Sequence, residues 1–551
     1  MKKLVLAMVV LSLCWTGGFA SPSDMFQLSD SVHEKLSTLY VSQGLAIPSS
    51  ALPYTRAELD HHLSRLDPEE LSWMETKLYT SLVGESTMEL PAFSIESEIS
   101  FETYIHSNTE DFIREEDWVY SYLDRKSLVS VPMTLSLGAF SGVFDLTLGS
   151  SNIDGKEAGT MDEGTSELYG KKNLTTNLPY DFSLQTLSLD ANVPYRAFLS
   201  TGGSNWVVQV GRDRISWGPG FSGNFMIGEQ LQYHNMARLA VYQDSFKYSF
   251  ITSFFPHPNE IYDSSLPDSQ ARPITGLKMF MAHRFEWRLF SDRVNLVLSE
   301  GIMYQDGGGD LDLRIVNPMM LYHNYYLRSQ ANSLATLELD YTFKKGWNIY
   351  TQFAVDELAF GPDEWELARV DRHPNGLAFM LGLRMEKPLE EGVLSGHLEG
   401  VYTDPYFYLR NIDGNASQIG EMDSLNYVVA LRKWYSDDIV YDQTYLGYQY
   451  GGDAIVLHSA LSYEVPDDWY LKGRLFAMVH GSVEKNTLWE LGEIDPTPTG
   501  SPTFYTQIGM EAGKSLKGWK VYSSLNFLTK TKEYSYYYDL QFTLGATYTW
   551  H

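Results

Sequence analysis

From about Phe93 to the end of the chain, apolar side chains recur at every second position, the spacing of a β-strand with two unlike faces. Residues 337–343 read Leu-Glu-Leu-Asp-Tyr-Thr-Phe, so an apolar face lies opposite an acidic and polar one. In the last segment, aromatic and aliphatic side chains alternate with polar or small ones from Tyr538 to Trp550. The pattern therefore predicts that residues 93–551 are built from β-strands.

Two features favour a membrane barrel over a soluble β-sandwich. Several apolar faces begin and end in Tyr or Trp, as the aromatic girdles of outer-membrane barrels do at the two membrane interfaces. The opposite faces carry full charges in mid-strand, which suit a wet interior better than a dry core. These charged residues include Glu338, Asp340, Glu399, Lys472, Arg474 and Glu511. At roughly 25 residues per strand and connection, the sequence predicts an all-β transmembrane barrel of about 18 antiparallel strands, with 16 as the alternative.

The segment before the barrel has a helical period instead. Capping-box patterns at Ser31–Glu34 and Thr55–Glu58, and Asp67 followed by Pro68, predict the starts of three short helices. Such a small unit cannot bury a large core by itself, so we expect it to pack on something larger. We therefore divide the chain into a small N-terminal periplasmic helical module, residues 21–92, and an outer-membrane β-barrel, residues 93–551.

The first twenty residues are typical of a signal peptide. Lys2 and Lys3 precede an apolar run, and Gly18-Phe19-Ala20 offers small residues where a signal peptidase cleaves. We expect residues 1–20 to be removed and the mature chain to begin at Ser21. The alternative is that Cys14 becomes a lipid-modified first residue. After Ala20 no stretch approaches the ~20 apolar residues of a spanning helix, so the exported protein either is soluble or spans a membrane with strands.

Composition excludes several classes of function. The chain has 41 basic and 70 acidic residues, a formal net charge of −29, which disfavours binding to nucleic acid because phosphate recognition uses clustered Lys and Arg. Its single cysteine excludes a disulfide framework and a Cys-based zinc site. If the barrel conducted, the acidic charge would favour cations. The expected partners in the membrane are outer-membrane lipid and the barrel-assembly machinery.

One short segment carries a resemblance to a known family. Residues 211–220 read Gly-Arg-Asp-Arg-Ile-Ser-Trp-Gly-Pro-Gly, and this segment resembles one in the capsule-assembly outer-membrane proteins of the Wzi type. Weaker matches follow in the same order. They are Asn317-Pro318, Asn332, Asp356-Glu357, Asp404-Pro405-Tyr406, Leu446-Gly447-Tyr448 and Gly451-Gly452-Asp453, and the prefix ending in Pro53 to Glu58 also looks like the family's N-terminal region.

The resemblance implies a barrel of about 18 strands, closed on the periplasmic side by a helical bundle. It also implies a lectin-like role in holding capsular or other surface polysaccharide to the cell. One departure concerns the stretch after Trp-Gly-Pro-Gly, which is rich in Asn in the family and reads Ile-Gly-Glu-Gln-Leu from Ile227 to Leu231 here. If that stretch contacts glycan in the family, the ligand of this protein differs or is absent.

The same segment supplies the candidate binding residues. Trp217 could present a fixed indole face on which sugar C–H groups stack, while Arg212, Asp213 and Arg214 reach hydroxyls or carboxylates. The simpler alternative is structural: two glycines and a proline make a tight reversal, with the indole of Trp217 packed across it.

No other motif indicates stronger chemistry. Asp306, Asp310 and Asp312 could hold calcium, but they lack the spacing of an EF-hand loop and are interpreted as a solvated acidic turn. No His-x-x-x-His pair or nucleophilic serine elbow is visible, so we expect no enzymatic activity, no metal and no cofactor, although a hydrolase with rim carboxylates would leave no spacing signature. The leading hypothesis is an outer-membrane barrel that binds surface polysaccharide; the alternative is a porin or substrate-specific channel that favours cations.

Overall fold

The structure is a computed structural model of the chain. It describes residues 21–88, 91–108, 110–112, 126–151, 173–178, 188–191, 195–256, 277–306, 331–358, 374–410, 425–432, 441–485, 487 and 495–550. The expected signal peptide, the match at residues 317–318 and most of the acidic turn at residues 306–312 lie outside these ranges. None of the helices in the described ranges is long and apolar enough to cross a membrane.

Antiparallel strands in the described ranges occupy 18 positions around one closed barrel. The first nine are β1 (Phe93–Ile95 and Ser97–His106), β2 (Val129–Leu137), β3 (Phe140–Ser151), β4 (Ser188–Ala191 and Ala197–Gly203), β5 (Trp206–Asp213), β6 (His234–Tyr242), β7 (Phe246–Phe255), β8 (Leu277–Leu289) and β9 (Val294–Asp306). The second nine are β10 (Ala331–Lys344), β11 (Trp347–Glu357), β12 (Gly376–Pro388), β13 (Val393–Thr403), β14 (Ala454–Val465), β15 (Trp469–His480), β16 (Thr503–Leu516), β17 (Trp519–Lys532) and β18 (Ser535–Trp550). β18 pairs with β1 and closes the barrel. The predicted fold class and the strand number of 18 are confirmed.

The alternation of the sequence becomes the two faces of the barrel wall. On β10, Leu337 is 45% exposed on the outside, whereas its neighbour Glu338 is 2% exposed on the inside. The same alternation runs along β18, where Tyr538, Leu540 and Leu544 are exposed and Asp539 is buried. Because the outer face is apolar and the inner face polar, this wall matches the lipid-facing surface of an outer-membrane barrel.

The two ends of the barrel differ in their connections. Eight connections at one end are two to four residues long, and we call it the short-turn end. At the other end, the long-connection end, the strands are separated by 18 residues or more, except for the two residues between β17 and β18. The short strand Leu174–Thr176 pairs with the part of β1 that β2 does not reach.

The N-terminal residues fold as helices within the predicted module. They are α1 (Ser31–Gln43), α2 (Arg56–Leu63) and α3 (Trp73–Thr87), with a short 3-10 turn at Pro68–Glu70. Thr55 caps α2 as predicted, accepting a hydrogen bond from Glu58 N at 3.1 Å. The expected start of the third helix at Asp67 is wrong: Asp67 caps the 3-10 turn, and Ser72 caps α3 through a capping box with Glu75.

The first helix also begins differently from the prediction. The residue at its N-cap position is Asp30, not Ser31. The carboxylate of Asp30 makes no capping hydrogen bond to the helix and instead accepts a hydrogen bond from Gln27 N at 2.7 Å. The helix ends as predicted at Gly44, whose φ of 87° suits a residue without a side chain.

The helical module covers the short-turn end. Ala46 N donates to Asp292 O at 2.8 Å in the β8–β9 turn, and Gly346 N in the β10–β11 turn donates to Val41 O at 2.7 Å. Ser23 Oγ donates to Ala139 O at 3.0 Å in the β2–β3 turn. These hydrogen bonds fix the module to turns on widely separated strands, so it acts as a lid on this end of the barrel.

Candidate functional site inside the barrel

The connection between β5 and β6, residues 214–233, folds into the barrel. Except for Phe221, which is 40% exposed, its apolar side chains are almost fully buried there. They form one core with inward-facing strand residues and with residues from the β13–β14 connection. From the β5–β6 connection this core includes Ile215, Trp217, Phe225, Met226, Ile227, Leu231 and Tyr233. The expectation of a water-filled interior is therefore wrong for this part of the barrel. A packed apolar core excludes water where the sequence pattern alone indicated a wet lumen.

Trp217 lies at the centre of this core. Its side chain is 0% exposed, so the structure does not offer the open indole face that sugar stacking requires. Trp217 and Ser216 pair with Ala51 and Leu52 of the N-terminal module as a two-residue ladder. The structural interpretation of the segment therefore fits: the indole packs inside the barrel and connects the core to the module.

The reversal that follows Trp217 depends on its glycine. Gly218 has φ = 138°, a conformation that side chains disfavour, and its N–H donates to Ser50 O at 2.9 Å. Trp217 N donates to Ile227 O at 3.1 Å, so the stretch that departs from the family pattern packs back on the tryptophan. In this chain Ile227 therefore contributes to the core.

The other three candidate residues have different environments. Asp213 is buried; it accepts hydrogen bonds from Arg196 Nε at 3.0 Å and Gln209 Nε2 at 2.8 Å, so both partners hold its carboxylate inside the wall. Arg212 is half-buried, with its guanidinium 4.1 Å from the ring centre of Tyr233.

Arg214 is also half-buried and donates to Glu229 O at 2.6 Å. Of the four candidates, only Arg212 and Arg214 keep solvent contact. Their role in binding a ligand stays a prediction.

Glu399 is a residue of this site whose role the sequence does not indicate. It is fully buried on β13 and accepts hydrogen bonds from Phe221 N, Ser222 N and Tyr350 OH at 2.9, 2.9 and 2.8 Å. One carboxylate thus holds the loop after Gly220 against the opposite wall. The only signal in the sequence is that Glu399 is a charged residue at an inward-facing position of a predicted strand.

A second polar network joins the barrel to the module. Arg284 on β8 donates from Nη2 to Glu338 Oε2 at 2.9 Å and from Nε to Glu286 Oε1 at 3.1 Å, and all three side chains are buried. Ser49 Oγ of the module donates to Glu286 at 3.0 Å. Lys247 Nζ on β7 donates to Ser49 Oγ at 3.0 Å.

This network continues into α2. Lys247 also forms an ion pair with Glu58, which is fully buried. Burial alone would raise the pKa of Glu58, but Lys247 and His62 outweigh burial and lower the pKa to about 2. Burial lowers the pKa of His62 to about 4, so His62 is neutral at pH 7.

Several of the short motifs that carry the family resemblance meet inside the barrel. Tyr408 N, close to the Asp404-Pro405-Tyr406 motif, donates to Asp356 Oδ2 at 2.8 Å, and Tyr448 N donates to Tyr408 OH at 2.8 Å. Asp453 accepts hydrogen bonds from Val483 N at 3.1 Å and Thr499 N at 2.9 Å. These motifs therefore stabilise the segments that fill the barrel.

In the part of the chain that the structure describes, no cluster of three or more His, Cys, Asp or Glu side chains has the arrangement of a metal site. The buried carboxylates described above are occupied by arginine, lysine, tyrosine or backbone donors. What these carboxylates do chemically is to hold inserted segments in place.

Taken together, an apolar outer wall, closed strand pairing and a polar inner face define an outer-membrane β-barrel protein. The chain has the same fold as Wzi, described as an outer-membrane protein involved in group 1 capsule assembly in Escherichia coli and a carbohydrate-binding β-barrel. The TM-score is 0.58, the identity 13%, and the match covers 95% of this chain and 99% of that chain. The predicted resemblance to the Wzi type is therefore confirmed at the level of the fold.

Other solved barrels match less well. OccK3 (OpdO) of Pseudomonas aeruginosa gives a TM-score of 0.38 at 11% identity, and OprD of the same organism gives 0.39 at 8% identity; each match covers 83% of this chain and 95% of the other. No protein-family model and no curated protein sequence matches the chain.

Proposed function

We propose that this protein binds surface polysaccharide and holds it at the outer membrane, and that it is not an enzyme. The observation that carries the proposal is the packed interior: the β5–β6 connection and the helical module occupy space that a general porin leaves open. The fold shared with a carbohydrate-binding barrel supports the same function. Outer-membrane barrels usually turn their short connections to the periplasm, and we therefore propose that the module lies on the periplasmic side and the long connections outside.

The proposal is tested by deleting the gene and measuring polysaccharide attached to cells and shed into the medium. We expect attached polysaccharide to fall and shed polysaccharide to rise, with the total unchanged. Restoring the wild-type gene should reverse both changes. Unchanged attachment in the deletion strain would remove the binding function while leaving the barrel fold untouched.

A channel is the second candidate, because part of the inner wall remains hydrated. On β15, Lys472 is exposed and the side chain of Arg474 is 34% exposed, and both face the interior. Glu511 faces the same part of the interior, so this wall carries charges of both signs and the preference for cations stays a prediction. Planar-bilayer recording separates the candidates, since steady conductance supports a channel and a silent barrel supports a binder. Insertion by the barrel-assembly machinery stays a prediction.

A further inference from the structure

One row of paired residues on the inner wall alternates between tyrosine and glycine. Tyr470 on β15 pairs with Gly513, Gly513 with Tyr522 on β17, and Tyr522 with Gly545. Gly545 in turn pairs with Glu102 on β1. A row of directly paired residues points to one face of a sheet, and here that face is the interior. We call the surface formed by Tyr470, Gly513, Tyr522 and Gly545, with the lysines beside it, the tyrosine row.

Each tyrosine ring of the row lies over a glycine. A Cβ atom added at Gly513 would clash with the ring of Tyr470, and one added at Gly545 would clash with the ring of Tyr522. The glycines thus provide the space that the rings fill, so each ring lies close to the wall. Both tyrosines remain half-buried, neither packed into the core nor fully exposed.

The hydroxyl groups fix the rings in this position. Tyr470 OH donates to Glu511 Oε1 at 2.7 Å. Tyr522 OH donates to Glu102, which also accepts a hydrogen bond from Tyr104 OH. Because these bonds already exist in the free protein, a ligand that stacks on the rings loses little side-chain entropy on binding.

The ammonium groups of two exposed lysines lie over the rings. Lys520 Nζ lies 5.7 Å from the ring centre of Tyr470, and Lys126 Nζ lies 4.6 Å from that of Tyr522. Lys472 faces the interior in the next row, directly opposite Glu511. All three lysines are exposed, whereas the carboxylates of Glu511 and Glu102 accept bonds from the tyrosines.

Hydrogen bonds between residues 21–88 and the barrel involve barrel residues from Ser136 to Pro466, and within the described ranges none of them reaches β15–β18. Tyr470 and Lys520 are the second residues of their strands, so they lie near the short-turn end. The lysines of the row are exposed and its tyrosines half-buried, so the row contacts solvent. Glu464, at the β14 end of the row, adds one exposed carboxylate.

We propose that the tyrosine row is a binding site for an acidic oligosaccharide, whose C–H faces stack on Tyr470 and Tyr522 and whose carboxylates pair with Lys472, Lys520 and Lys126. Fixed rings suit the apolar face of a pyranose, and the exposed lysine over each ring can turn its ammonium group to a carboxylate on the same sugar. The inference rests on the proposed function for the class of ligand, but the site can be tested without it.

The test is calorimetric titration of the full-length protein in detergent with tetragalacturonate, an acidic probe, and maltotetraose, a neutral one. We expect wild type to bind tetragalacturonate at least ~10-fold more tightly than maltotetraose, and Tyr470→Ala with Tyr522→Ala to weaken that binding ~10-fold or more, because the aromatic contacts with the sugar are lost. Lys472→Ala with Lys520→Ala should remove the preference for the acidic probe. Tyr538→Ala, which changes a tyrosine on the lipid-facing side, is the matched control and should bind as wild type does.

Each possible result either supports or overturns the proposed binding site. Heat-modifiable migration in electrophoresis first checks that every variant is folded. No binding of tetragalacturonate by wild type, equal binding of both probes, or unchanged binding by the folded double tyrosine variant would overturn the site. If gene deletion sheds polysaccharide but the double tyrosine variant retains it and still binds the probe, the site is wrong and the proposed function stands. If deletion sheds nothing, the proposed function fails whatever the titration gives.

Discussion

Two parts of the barrel wall carry different inward-facing side chains on the same alternating pattern. We call β6–β13 the filled half and β15–β18 the open half. From β6 to β13 the inward positions carry large side chains that contact inserted segments; examples are Arg238, Lys247, Arg284, Tyr350, Met380 and Glu399. From β15 to β18 many inward positions are small; they include Gly509, Gly513, Ser524, Thr543, Gly545 and Thr547. The filled half therefore contacts inserted segments, whereas the open half has many small side chains on its inner surface.

The comparison shows that the polar inner face of a barrel does not by itself mean a water-filled pore. In the filled half, buried charges are paired with one another and with the module, and such pairs stabilise only if their partners are all present. In the other half, Arg474 and Glu511 are part-exposed; they form an ion pair at 3.5 Å with about a third of each side chain in solvent. Changes in the two halves should therefore differ greatly in their energetic cost.

The largest effect is expected from Arg284→Ala. This change leaves Glu338 and Glu286 buried without their guanidinium, and breaking a buried pair in this way costs about 3–5 kcal/mol. We expect the free energy of unfolding, measured by urea titration in lipid vesicles with tryptophan fluorescence, to fall by that amount. Arg474→Ala in the other half is the matched control, with an expected loss of about 0.2–1 kcal/mol because its ion pair is hydrated. Similar losses for the two variants would contradict the division into halves.

The second effect is expected from Trp217→Ala, which leaves a cavity at the centre of the filled half. Replacing a buried tryptophan by alanine costs about 3–5 kcal/mol where the surroundings cannot collapse. The ladder from Trp217 to Ala51 would also lose its packing, so we expect faster proteolysis of residues 21–88.

The control for this change is Trp550→Ala, on the outer face of β18, where the side chain is 54% exposed. It should cost markedly less and leave proteolysis of the module unchanged. An unaltered unfolding free energy for Trp217→Ala would show that the indole is not part of the core.

The barrel could be predicted from sequence because each strand records its two faces in neighbouring residues. Leu337 and Glu338 differ in exposure because the pleat turns them to opposite sides, and the average length per strand then gives the number of strands. Helix caps also depend on neighbouring residues only. The prediction nevertheless missed the capping box of Ser72 and Glu75 at the start of α3, because Asp67 and Pro68 form a similar helix start that ends after one 3-10 turn.

The interior could not be predicted in the same way. Lys247 and Glu58 lie 189 residues apart, and nothing near either one indicates the other. The sequence allowed two interpretations of Trp217 for the same reason. Whether its side chain is exposed depends on segments distant in the sequence, which contain Ala51 and Tyr448 and pack in the same core. The tyrosine row is invisible in the sequence, since it runs across strands that are paired only in the barrel.

The third effect is a loosening of the module by acid. Burial lowers the pKa of His33 and of His62 to about 4 from the usual 6.5, so the unfolded module binds more protons between these values and its stability falls with pH from about 6.5 to 4. The pKa of Glu58 is held at about 2, below the usual 4.5, so its contribution is lost between about 4.5 and 2.

Limited proteolysis of residues 21–88 at pH 7.5 and pH 4.5 measures this effect. We expect faster cleavage at pH 4.5 with the heat-modifiable migration of the barrel unchanged, because His33 and His62 lie in the module. His62→Gln should reduce the pH dependence. Equal cleavage at the two pH values would show that these buried histidines do not control the module.

The smallest effect is expected from Lys514→Ala, at the short-turn end of the open half. Its ion pair with Asp468 spans 3.3 Å, but the two side chains are 55% and 49% exposed, so solvent weakens the attraction. An exposed pair of this kind contributes about 0.2–1 kcal/mol, which would be near the error of a urea titration. Lys247→Ala, which removes a lysine from the buried network at the same end, should exceed this loss several-fold because Glu58 then remains buried without its partner. If Lys514→Ala lowered the free energy of unfolding as much as Lys247→Ala, exposure to solvent would not weaken the ion pairs of the open half.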